Sequence, residues 1–72
     1  MLASPGEQFR RLRVEHHLQL DELSQLTEIA VERLGAIESG SEEAWLEEAM
    51  HLARAYDMTV DDLAAQVHGW TR

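Results

Sequence analysis

The sequence predicts an all-α fold, a compact bundle of five short helices, and three observations carry that reading. Alanine, leucine and glutamate dominate while valine, isoleucine and aromatic residues are scarce, a balance that favours helix over strand. Apolar residues recur at three- and four-residue spacing. Capping signals interrupt that pattern often enough that no helix is long.

Ser4-Pro5-Gly6-Glu7 opens the first helix, with serine able to cap, proline preset at the first helical position and Glu7 completing a capping box. Phe9, Leu12 and His16 follow at helical spacing, and His16-His17 marks the end. The second helix runs around Leu20 to Gln25, with Asp21 and Glu22 in the first turn, where carboxylates suit the dipole. A third spans about Val31 to Ser39 and stops at Gly40, a residue suited to a left-handed helix end. Ser41 is the expected cap of the fourth, Glu42 and Glu43 its first turn, and Leu46, Ala49, Met50, Ala53 and Tyr56 its apolar stripe. Thr59-Val60-Asp61-Asp62 is a second capping box, opening a fifth helix through about Val67.

Seventy-two residues make one domain, with a core over 5–67 and a loose tail over 68–72, of which Trp70 can dock. A core of that size supplies only a few kcal/mol of net stability. With no cysteine, neither a disulfide nor a thiolate metal site can staple it. No apolar run is long enough to cross a bilayer and no basic-then-apolar leader opens the chain, so no membrane partner and a cytoplasmic location are expected. Charge is lopsided. Fourteen acids oppose six arginines, no lysine is present, and the formal charge is −8. Surplus acid keeps a small domain soluble, but it sets an unfavourable long-range field for any nucleic-acid partner.

The run from Leu18 to Gly40 has the spacing of a helix-turn-helix. Around it stand Leu12-Arg13, the stretch Leu18 to Leu23, and the apolar Ile29, Leu34 and Ile37. Glu38-Ser-Gly40 follows, then Leu52-Ala53-x-Ala55-Tyr56-Asp57-Met58-Thr59-Val60-Asp61-Asp62-Leu63. In this ordered set, residues 6 to 63 resemble the lambda-repressor-like (XRE or Cro) helix-turn-helix family without gaps, over about four-fifths of the chain. The resemblance implies a five-helix DNA-binding domain in which helices two and three form the helix-turn-helix. It also implies a structural ion pair between Arg13, late in helix one, and Glu38, near the end of helix three. Three turn positions, His17, Glu28 and Asp57, depart from the glycine usual in the family. Such turns need positive φ, which for a glutamate costs on the order of 1 kcal/mol.

Carried over by family position, the DNA-facing residues are Leu20, Ala30, Val31, Glu32, Arg33, Gly35 and Ala36, with Arg10 and Arg11 as phosphate contacts. A recognition helix reads base edges with Arg, Lys, Asn, Gln, Ser or Thr. None of the base-reading positions Ala30, Val31, Glu32, Gly35 and Ala36 offers a bidentate donor to guanine, and Gly35 weakens the helix by up to about 1 kcal/mol. Where relatives place basic residues, this chain has Ser41-Glu42-Glu43-Ala44-Trp45, whose carboxylates repel phosphate. Leu20, Val31, Glu42, Glu43 and Trp45 instead form a candidate protein interface, an apolar cluster with an acidic rim. Trp45 has two readings, an interface anchor or a side chain folded back over the core. Leu20 and Val31 are expected outside, since Leu23, Leu26, Leu34 and Ile37 fill the core positions of the same helices.

Catalysis has little support. The four histidines match no ligand pattern beyond a loose Glu47-x-x-x-His51 turn, Asp61-Asp62 is explained by capping, and no phosphate loop or nucleophile-base set is present. No enzyme activity, metal or cofactor is expected. Two functions remain. One is a small transcriptional regulator binding double-stranded DNA, as a homodimer because one such helix covers a half-site. The other is a helix-turn-helix module that has lost DNA reading and binds a transcription-linked protein, or itself, through its acidic and apolar face.

Overall fold

The computed structural model describes residues 4–70. They form five helices and, among the described residues, no strand: α1 Pro5–Glu15, α2 Leu20–Thr27, α3 Val31–Ser39, α4 Leu46–Ala55 and α5 Val60–Gln66. Each start has its own chemistry. The Ser4 hydroxyl accepts the Glu7 N–H at 3.2 Å, with Pro5 in the first turn. The Gln19 N–H donates to the Glu22 carboxylate at 2.8 Å, and the Trp45 N–H to Glu48 Oε1 at 2.9 Å. At α5 the box is complete: Thr59 N–H to Asp62 at 3.2 Å, and Asp62 N–H to Thr59 Oγ1 at 3.0 Å.

The ends are as telling. His17, Glu28 and Asp57 take φ of 58°, 61° and 56°, in the left-handed region, just after α1, α2 and α4. Gly40 does the same after α3, at 85°. The chain therefore turns as a glycine would at three places where it has none.

α1 packs on α3, α2 on both α3 and α4, and α4 on α5. Phe9, Leu12, Leu23, Leu34, Ile37, Leu52, Tyr56, Leu63 and Val67 meet in one core. The α1–α3 contact is backbone against backbone: a Cβ on Gly6 would stand 2.6 Å from the Glu38 carbonyl oxygen and 2.7 Å from that of Ile37. Across the same contact Arg13 holds Glu38 with two hydrogen bonds of 2.8 and 2.9 Å, and donates a third to the Leu18 carbonyl at 2.9 Å. The two side chains are 12% and 9% exposed. Glu38 lifts the Arg13 pKa further above its ordinary value, against the effect of burial. Removing either partner leaves the other charge nearly buried and alone. Burial likewise holds the Tyr56 hydroxyl well above the usual phenol range, with Glu38 adding and Arg13 opposing.

Six sequence expectations are corrected. The fourth helix begins at Leu46, so Glu42 and Glu43 lie outside it and its first-turn acids are Glu47 and Glu48. Ser41 faces backwards: its hydroxyl donates to the Ala36 carbonyl at 3.3 Å, which also accepts the Glu42 N–H at 3.2 Å. It closes α3 instead of opening α4. Leu46 and Met50 are about half exposed, and the buried stripe of α4 is Ala49, Leu52 and Ala53, leading to Tyr56 at the helix end. Leu26 is 59% exposed, because the inward face of α2 passes through Leu23 and Thr27. Thr27 can be buried because its hydroxyl donates to the Leu23 carbonyl at 2.8 Å and accepts the Ile29 N–H at 3.3 Å. Leu20, expected outside, is partly buried against the core.

The sixth correction concerns the tail. Residues 68–70 are docked, and of the tail only 71–72 lie outside the described residues. Buried Gln8 clamps His68 with its side-chain amide, donating to the carbonyl and accepting the N–H, both at 2.9 Å. The Trp70 indole meets Phe9 edge-on at 6.2 Å and donates to the Ala44 carbonyl at 3.1 Å. No helix among the described residues is long and apolar enough to cross a membrane.

Candidate functional site

α3 has two sides. Leu34 and Ile37 point into the core. The opposite side carries Val31, Glu32, Gly35, Ala36 and Ser39, of which Val31, Glu32 and Ser39 are exposed and Gly35 and Ala36 half-buried. A Cβ on Gly35 would meet nothing within 4 Å. That side has one formal charge, the carboxylate of Glu32. Ala30 is the exposed residue just before the helix.

Arg33 sits between the two sides and turns toward the loop before α4. Its guanidinium makes paired hydrogen bonds of 2.7 and 2.9 Å to the Glu48 carboxylate and a third of 2.7 Å to the Glu43 carbonyl. Glu42 stands 3.6 Å away. The same guanidinium lies 4.5 Å above the Trp45 ring, within cation–π range. Hydrogen bonding to Glu48 raises the Arg33 pKa, with burial opposing and the charges of Glu48 and Glu42 assisting. In return Arg33 holds the Glu48 carboxyl below its usual range, against the cost of burial, helped by the Trp45 N–H. Nε and Nη2 of this cation donate within its own chain, and Nη1 faces Glu42.

The structure brings together Arg33, Glu42, the Glu43 main chain and Trp45 from the sequence expectations. Trp45 is 66% exposed, so the reading in which it seals the core is corrected; Trp70 does that from the other end of the chain. A shallow groove beside Trp45 is lined by Glu28, Ile29 and Ala30 of the α2–α3 turn, and by Arg33, Glu47, Glu48 and His51. Leu20 and Val31 do not line it. Arg10 and Arg11 line a depression with Glu7, Val14 and Glu15, all on α1, and Arg11 stands 3.9 Å from Glu15.

Sequence reasoning missed Glu28, Glu47, Glu48 and His51 as neighbours of Trp45. The missing signal was the true start of α4: with Trp45 as its cap, Glu48 falls at the third helical position, where a carboxylate reaches back to the cap N–H. Among the described residues, no group of three His, Asp or Glu side chains is placed to hold a metal ion. Glu47 and His51 share the groove but belong to no such group. No family model matches the chain, and no curated protein matches it.

Proposed function

We propose that this chain is a helix-turn-helix module of the lambda-repressor-like kind, with α2 and α3 as the motif, that serves transcription regulation by docking a protein. The ordered family resemblance over residues 6 to 63 supports the module. One observation carries the choice of ligand: Arg33, the only cation of α3, is bound by Glu48, the Glu43 carbonyl and the Trp45 ring. Phosphate binding would require giving up those bonds beside Glu42 and Glu43. The exposed side of α3 has no cationic group and no bidentate partner for a base.

The second reading is operator binding by a homodimer. It is favoured by one observation: Arg10 is exposed and, among the described residues, has no ion pair. A mobility-shift series across salt with pooled random duplexes separates the two. The protein-docking reading expects no retained duplex at 20–50 mM salt, roughly the range where phosphate contacts are strongest. A retained complex whose affinity falls steeply with salt would overturn it in favour of the operator reading.

A further inference from the structure

The groove beside Trp45 has a chemistry specific enough to name what fits it. It is lined by the α2–α3 turn, including the apolar Ile29 and Ala30, and by the first turns of α4. Of its three carboxylates, Glu48 is bound to Arg33, while Glu28 and Glu47 are exposed and, among the described residues, without an ion pair. The indole is an anchor already shown to accept a guanidinium, because Arg33 occupies one of its faces at 4.5 Å. At 66% exposure the other face is open to solvent.

We propose that this groove docks a basic segment of a partner protein, seating an arginine on the open face of Trp45 with Glu28 and Glu47 as its counter-charges. The proposal rests on the reading that a protein, not a duplex, is the ligand of this side. Charge selects the occupant. A second copy would bring another domain of net charge −8 against an acidic rim, and nucleic acid would bring phosphates to the same carboxylates. An arginine gains three things at once: the ring quadrupole, two carboxylates lining the same groove, and apolar lining for its methylene stem. Lysine, which stacks poorly and holds its water more tightly, should bind less well.

The test uses the full chain, isotopically labelled, and its two indole N–H signals. Trp45 reports on the groove, and Trp70, hydrogen-bonded to Ala44, is the internal control. The probe is a nonapeptide of alternating arginine and glycine, compared with its lysine and glutamate counterparts and with a short duplex. Expected are saturable shifts of the Trp45 indole and the 28–30 and 47–51 amides with the arginine peptide, several-fold weaker binding with lysine, and none with glutamate. Trp45→Ala and the double change Glu28→Gln, Glu47→Gln should each weaken binding at least fivefold while leaving the Trp70 signal in place. The proposal is overturned if no saturable shift occurs, or if shifts spread equally over Asp61 and Asp62 and persist in Trp45→Ala. Silence toward both peptide and duplex removes this inference alone. Duplex-induced shifts at Trp45 and α3 remove the protein-docking reading with it.

Discussion

Single residues in this chain hold conformations that their side chains resist. Glu28 is the clearest, a glutamate at φ 61° whose side chain makes no ion pair among the described residues. Left-handed backbone costs an L-residue about 1–2 kcal/mol, and glycine returns part of that gain through its freer unfolded chain. Glu28→Gly should therefore raise stability by about 0.5–1 kcal/mol. Urea unfolding reads this as a higher midpoint at constant slope; an unchanged or lower midpoint would show that the turn is not strained. Glu48 provides a second test at this scale. Its carboxyl is held below the ordinary value of 4.5 by Arg33, so its contribution is complete above that value. It is lost as the pH falls through the lowered one. Unfolding titrations from neutral pH downward should show that acid limb, and Glu48→Gln should flatten it while lowering stability at neutral pH. These residue-scale features differed in legibility. The left-handed turns follow from missing glycines, which a sequence displays openly. The Arg33–Glu48 clamp could not be read, because it depends on where α4 starts.

Helix boundaries were legible where the cap is local and unambiguous. Thr59 with Asp62 and Gly40 after Ser39 are such cases, and both stand where their chemistry says. Ser41 misled because a hydroxyl after a glycine can serve either the helix behind or the helix ahead, and here it bonds back to Ala36. Leu26 misled for another reason: a short helix of eight residues has room for few inward positions, and a self-satisfied threonine took one. Helix packing itself is tested by two glycines of opposite character. Gly6→Ala would drive a methyl into two carbonyls of α3 and should cost about 1–3 kcal/mol or unfold the domain. Gly35→Ala has open space and should stabilise α3 by about 1 kcal/mol. Thermal melts of both variants check the pair; equal shifts would refute the close α1–α3 approach.

Across the whole molecule, the last described residues return to the first. Trp70 spans Phe9 of α1 and Ala44 of the loop, and Gln8 holds His68 beside them. The sequence offered Trp70 as able to dock but not its partners, because it lies beyond the last helix and a lone aromatic has no periodicity. Trp70→Ala removes a partly buried indole and its hydrogen bond and should cost about 2 kcal/mol. The expected readouts are a lower melting temperature and loss of near-ultraviolet dichroism from the Phe9–Trp70 pair. A melt indistinguishable from the parent would mean the tail is dispensable. A radius of gyration of 10.7 Å is close to the roughly 11 Å usual for a domain of this length.

The outward side of α3 has a consequence for engineering. Val31, Glu32, Ala36 and Ser39 are not among the buried core residues, and Gly35 adjoins empty space. These five positions can be rewritten without disturbing Leu34 or Ile37 beneath them. The helix is thus a blank display surface on a folded support. Whatever recognition is written there, arginines for phosphate or aromatics for a protein groove, can be judged without confounding loss of the fold.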